Sequence, residues 1–328
     1  ARKKRCKIIL HCGAEGTEGD CIKEITVLLS LYCRKYNIPE TQVHYVTSNM
    51  KFLEKYIAER GGLRYKSFIN AWQIPYFWEV SQLVNEEKKD NEEIFVNPDN
   101  FKRNLDNKKL RFLCLNRVPR AHRYILTSYL WHKHKDKGLI SMPKWDYNSY
   151  EHWGPWKSLT REMDMFTNII KRFEASLPLT VDHKYKIGSK QDDMTWNITS
   201  EPYLKTNFSI INETSFTNKN IFHTEKTFKA IMNMHPFIIC GDHGILQSLR
   251  DMGFKTFSPH IDETYDTIIN NRHRIQALMK EIDRLCNMKW GDFHRLMRKL
   301  DDIVLYNYEH FWKPCNFTYK IFERLFFW

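Results

Sequence analysis

The sequence predicts an α/β chain of two lobes, each a parallel sheet covered by helices, with a cleft between them. Three observations predict it. The chain opens strand–helix–strand, its second half repeats that alternation, and an unbroken polar run from Asn85 to Glu93 lies between the two. The length of 328 residues fits two domains of about 100–200 residues better than one core.

The apolar run Lys7 to Cys12 predicts a buried strand, followed by a turn carrying Gly13, Gly16 and Gly19. Ile22, Ile25, Leu28, Leu29 and Tyr32 then mark one face of a helix that Ile38-Pro39 closes. A second strand covers 42–47, and the residues from there to Val84 show no clear period. The polar run 85–93 is a surface loop or linker, and the domain boundary falls near residue 105. Beyond it the pattern predicts strands over 110–115, 208–211, 236–240 and 254–257. Helices are predicted over 120–131, 159–173, 224–234, 245–252, 267–286 and 292–308, with a last one in the aromatic tail 319–328. The expected units are 1–105, 106–305 and a helical tail 306–328.

Hydrophobic residues at 42% and charged residues at 27% place the chain among globular proteins. The net charge of +12 implies an anionic partner: nucleotide phosphates, nucleic acid or an acidic glycan. Between Phe101 and Ile140 eleven Lys or Arg stand against Asp106 and Asp136, so this segment carries most of the excess. The eight cysteines are scattered without a C-x-x-C pair, which suits free thiols in a reducing compartment and no zinc site. With no signal peptide or spanning stretch in the sequence, a cytoplasmic location is the expectation.

The most informative stretch runs from Asn207 to Gly241. A strand ends in Asn212-Glu213, a loop follows, and Thr224-Glu225-Lys226 opens a helix. Thr224 is a good N-cap, and Glu225 suits the positive end of the helix dipole. Free backbone N–H groups at a helix start favour an anion, and Lys226 adds a charge beside them. Glu for ribose hydroxyls with Lys and amides for a diphosphate would suit a nucleotide; an ordinary capped surface helix is the plainer alternative. Upstream, Phe112 to Arg123 gives a strand, a tight turn and a helix start with Asn116, Arg117, Arg120 and Arg123. An arginine's planar fork grips phosphate oxygens at two points and stays charged.

These two segments resemble the donor-binding signature of α1,3-fucosyltransferases, in which a strand ending Phe-Glu-Asn precedes a Thr-Glu-Lys helix and a Pro-containing strand ending in Gly. The counterparts here are Asn212-Glu213, with the order reversed, then Thr224-Glu225-Lys226, Pro236 and Gly241. The resemblance implies that Glu225 holds the carrier's ribose and Lys226 its phosphates, with Glu213 near the sugar or diphosphate. Arg123 is the match for a phosphate-binding arginine, with Arg117 and Arg120 as near alternatives, and Asn116 would cap the turn. The implied fold is GT-B, two Rossmann-like lobes facing a central cleft. The first lobe would take the acceptor and the second the nucleotide sugar. The implied chemistry is inverting and metal-independent transfer of a sugar, fucose in that family, from a nucleotide diphosphate to a glycan hydroxyl, with no cofactor beyond the donor. Two alternatives stay open: a sugar transferase acting on hydroxymethylated DNA, and a non-catalytic nucleic-acid-binding protein.

The acceptor hydroxyl must give its proton to a base from the first lobe. Glu15, Glu18 and Asp20, in the glycine-rich turn, are the candidates, and His11 is expected to pack within the strand end. Trp145, Tyr147, Tyr150, Trp153 and Trp156 form an aromatic stretch suited either to stacking on a sugar or base or to core packing. The glycine spacing is not G-x-G-x-x-G, no Walker, G-x-S-x-G or H-E-x-x-H motif is present, and no Asp-x-Asp stands at a strand end.

Overall fold

In the computed structural model, residues 7–12, 22–62, 69–93, 95–99, 101, 108–144, 164–181, 199–218, 220–315 and 317–326 are described. Their strands form two parallel sheets, so the fold is mixed α/β as the alternation predicts. The first sheet has the order β1 (Ile8–Cys12), β2 (Val43–Thr47), β3 (Asn70–Gln73). The central strand β2 is buried along its whole length. Cys12 pairs with Thr47, which pairs with Gln73, so the three strands end together.

Helices α1 (Ile22–Lys35) and α2 (Phe52–Gly62) accompany this sheet. The face of α1 differs from the expected one. Thr26, Ser30 and Cys33 are buried and Ile25 and Leu29 pack on the core, while Leu28 is 64% exposed and Tyr32 also faces out. Apolar residues occupy nearly every side of this helix, so periodicity alone does not select the inward face.

The second sheet has the order β5 (Gly138–Ile140), β4 (Leu110–Cys114), β6 (Thr206–Asn212), β7 (Phe237–Cys240). From β4 the chain passes through α4 (Ala121–His134) to β5 on one side. With α5 (Asp164–Ala175) and α6 (Glu201–Lys205) on the way, it then returns across β4 to place β6 on the other side, and α7 (Glu225–Met232) leads outward to β7. The chain therefore reverses direction between the adjacent strands β4 and β6. Loops leaving such a pair diverge and open a crevice beyond the carboxyl ends, the usual ligand position in an open parallel sheet. The short strand β5, not expected from the sequence, begins with a glycine because a Cβ at Gly138 would lie 2.6 Å from the Phe112 carbonyl oxygen.

The main core passes to the second sheet well before residue 105. It takes in Phe77 and Trp78 of α3 (Tyr76–Asn85), and then Phe95, Val96 and Phe101. Trp78 packs on Phe254 at 4.8 Å and donates from Nε1 to the Phe311 carbonyl at 3.0 Å. The polar run that follows is exposed from Glu86, as expected, but it trails a helix docked on α7.

Residues 254–257 are not a strand. After α8 (Ile245–Asp251), Gly253 turns the chain at φ +90, and the Asn307 side chain takes the place of a neighbouring strand. Its amide both accepts from Lys255 N–H and donates to Lys255 C=O, each at 2.8 Å. The helix predicted over 267–286 is α9 (Asn271–Asn287), and that over 292–308 is broken into α10 (Trp290–Arg298) and α11 (Asp301–Phe311). The break comes where Leu300 turns fully into the core, and Asp301 and Asp302 start a new helix with the acidic first turn its dipole favours. The aromatic tail is α12 (Phe317–Phe326). No described helix is long and apolar enough to cross a membrane.

The basic segment divides in two. Arg111 lies between the rings of Trp290 and Phe293, at 4.3 and 4.5 Å, and donates to the Leu285 carbonyl. Lys137 donates to the Cys286 carbonyl and Lys133 pairs with Asp283. These cations serve the C-terminal end of α9, whose last carbonyls carry the helix's negative pole. Arg117, Arg120 and Arg123 instead sit beyond the carboxyl end of β4.

Candidate functional site

The crevice between β4 and β6 is built first by two asparagines. Asn212, the last residue of β6, donates to Asn116 Oδ1 at 2.9 Å, and Asn116 donates to Thr127 Oγ1 and the Ser141 carbonyl. Both side chains are buried, and their hydrogen bonds brace the two strand ends.

Glu213 has no exposed surface, and its carboxyl group accepts four hydrogen bonds. Oε1 accepts from Thr224 N–H at 3.1 Å and Thr227 Oγ1 at 2.6 Å; Oε2 accepts from Thr224 Oγ1 at 2.6 Å and Thr214 N–H at 3.2 Å. Each oxygen thus takes one backbone N–H and one threonine hydroxyl. The carboxyl group fastens the start of α7 to the end of β6. Asn212 takes the last position of the strand and Glu213 lies under the helix N-cap, bonded to Thr224.

Arg123 is only 2% exposed. It donates from Nε and one terminal nitrogen to the Glu213 carbonyl at 3.3 and 3.1 Å, and from the other to the Val118 carbonyl at 3.0 Å. Burial and the neighbouring Arg120 lower its pKa to about 10. His122 Nε2 lies 2.9 Å from the same Glu213 carbonyl, and burial holds this imidazole well below its ordinary value. The guanidinium of Arg123 therefore ties the two strand-to-helix junctions together from inside.

The half-buried charged groups beside the two junctions are Glu225, Lys226, Lys229, Arg117 and Arg120. Thr224 caps α7 by accepting from Lys226 N–H, and Lys226 Nζ bonds Glu225 Oε1 at 2.7 Å and Thr224 Oγ1 at 3.0 Å. Burial pushes the Glu225 carboxyl up, but Lys226 and Lys229 outweigh it and the group ends below its ordinary value. Burial lowers Lys229 to about 8; Glu225 opposes that shift, and Lys226 and Arg117 add to it. Arg117 from the β4 junction and Lys226 and Lys229 from the β6 junction thus share one electrostatic environment. Lys229 was not picked out by motif, although its spacing of four from Glu225 puts both on one helix face.

Loops after the first sheet meet this edge. Asn49, fully buried, donates to Asn220 Oδ1 at 2.9 Å and accepts from Ile221 N–H at 3.3 Å; Met50 N–H donates to the Ile221 carbonyl. Lys51 Nζ donates to the His243 carbonyl at 3.1 Å. No sequence pattern marks these contacts, because they join segments far apart in the chain. The strand ends of the first sheet therefore face the loop that carries Thr224. Glu15, Glu18 and Asp20, and the aromatic stretch Trp145 to Trp156, lie outside the described residues. His11 departs from expectation: it is exposed, with its ring 5.6 Å from Tyr76. It lies opposite the β1 face, Leu10 and Cys12, that packs on the core.

No family model matches the chain, and no curated protein matches it. Among solved structures it is similar to the Candida albicans trehalose-6-phosphate phosphatase N-terminal domain. That match has 13% identity over 96% of this chain and 69% of the other, with a TM-score of 0.41. A likeness at that level carries no inference about activity.

Proposed function

We propose that the chain is an inverting, metal-independent glycosyltransferase of GT-B architecture, moving a sugar from a nucleotide diphosphate to a glycan hydroxyl. The observation that carries this reading is the meeting of two cationic strand-to-helix junctions at the one point where the sheet order reverses. A diphosphate there would meet Arg117 and Arg120 from one junction and Lys226 and Lys229 from the other, with Glu225 placed for ribose hydroxyls. Arg123 and Glu213 would position these groups rather than touch the ligand. As the bond from anomeric carbon to phosphate breaks, negative charge builds on the diphosphate, and fixed cations in a half-buried site stabilise it. The contacts of Asn49, Met50 and Lys51 with the second sheet's loops support two lobes facing one cleft. Fucose as the sugar rests on the family resemblance alone. A DNA acceptor gains no support from the basic segment, because Arg111, Lys133 and Lys137 are engaged at the end of α9.

A thermal-shift screen against GDP, UDP, CDP and their sugars tests the reading. A ligand at 100 times its Kd adds about 2.7 kcal/mol of stability. A selective rise in Tm with one nucleotide family is expected; no rise with any of them would refute the reading.

A further inference from the structure

We infer that His11 is the general base that deprotonates the acceptor hydroxyl, an inference that rests on the transfer reading above. Four observations place it. His11 stands one residue from the carboxyl end of β1, where the strand ends of the first sheet come together. It is exposed, and no described residue hydrogen-bonds its ring nitrogens. It lies on the face of β1 away from Leu10 and Cys12, toward Tyr76. From Tyr76 a run of rings leads to the second sheet's site loop: Tyr76 to Phe77 at 5.3 Å and Phe77 to Phe222 at 5.4 Å. Phe222 is two residues before Thr224, the cap of the helix that carries Glu225 and Lys226. The exposed imidazole thus stands at the strand ends of the first sheet, joined through packed rings to the loop that carries Thr224.

The step balances without another reactant. The acceptor oxygen forms its bond to the anomeric carbon while its proton passes to a ring nitrogen of His11. The bond from anomeric carbon to phosphate oxygen breaks with its electron pair kept by the departing nucleoside diphosphate, whose charge the cations of α7 and the β4 junction receive. The imidazolium then returns its proton to water. Attack from the first lobe on a carbon whose leaving group lies in the second gives inversion.

The test uses the whole chain and whichever sugar nucleotide stabilises it in the screen. Released nucleoside diphosphate is measured with water and with a mixed panel of free mono- and disaccharides as acceptors. His11→Ala is expected to lower release by roughly 10²-fold or more, the usual range for losing a general base. Nucleotide affinity and Tm stay at wild-type values, added imidazole restores part of the rate, and His11→Gln stays as slow as His11→Ala. A His11→Ala rate within about threefold of wild type, at any acceptor, overturns the inference and leaves the donor site standing. Wild-type protein that binds no nucleotide, or binds one and releases none, overturns the transfer reading and the base with it.

Discussion

Glu213→Gln is the sharpest test of how the site is held. The substitution keeps shape and volume but replaces one acceptor oxygen by an NH2 group. Neither orientation of that amide fits. Oε1 faces Thr224 N–H and Oε2 faces Thr214 N–H, so either choice sets donor against donor. The threonine hydroxyls can rotate to accept; a backbone N–H cannot. An orphaned buried N–H costs about 1–3 kcal/mol, and the remaining bonds to a neutral oxygen are weaker than bonds to a carboxylate. The expected loss is about 3 kcal/mol. For a cooperative unit of 150–250 residues that lowers Tm by roughly 6–12 °C, at about 2–4 °C per kcal/mol. Thr227→Ala removes one hydroxyl donor of the four and is expected to lose about 1 kcal/mol, so the order of the two variants is part of the prediction. Scanning calorimetry at fixed pH reads both. A Glu213→Gln protein melting within about 2 °C of wild type would refute the assignment of Glu213 as a buried, fully bonded brace.

Lys226→Ala should weaken nucleoside diphosphate binding about tenfold or more by calorimetric titration, the loss of one charged hydrogen bond, with little change in Tm because the side chain is partly exposed. Lys229 loses its proton as pH rises through about 8 in the free protein, whereas a bound diphosphate favours its charged form. Binding should therefore take up a proton and weaken above pH 8, and titrations in buffers of different ionisation enthalpy, with Lys229→Met as the control, measure that uptake. His122, His223 and His235 are buried with pKa values lowered by burial, His223 to about 3, so below pH 6.5 the unfolded chain binds protons the native state does not. Stability should fall as pH drops from 6.5, with a slope approaching about 4 kcal/mol per pH unit for three groups, and urea midpoints between pH 7 and 5 that do not move would contradict it. Asn49→Ala removes the side-chain bridge to Asn220 and Ile221 and should cost about 1–3 kcal/mol, read from the same denaturant series.

Much of the second sheet was legible because its strands are apolar runs bounded by polar turns. Leu110 to Cys114 and Phe237 to Cys240 stand close to where periodicity puts them. The segments that escaped are those in which the partner supplies the order. The stretch 254–257 looks like a strand but bonds to the Asn307 side chain, and Asn70 to Gln73 has no alternation of its own yet pairs with β2. The site was legible as residue types and not as roles. Arg117, Arg123, Glu213 and Lys226 were named from their motifs, but burial divides them, turning Arg123 and Glu213 inward and leaving Lys226 and Arg117 half-buried beside the junctions. Which member of an arginine cluster is spent on backbone carbonyls depends on Glu213, just past the end of the neighbouring strand and ninety residues along the chain.

A crystal structure with a bound nucleoside diphosphate measures the central claim directly. Phosphate density is expected at the carboxyl ends of β4 and β6, with oxygens within hydrogen-bond distance of Lys226 and of Arg117 or Arg120 at once. Density in the open groove lined by Arg250, Lys255, His260 and Arg284, or touching the cations of one junction only, would contradict it.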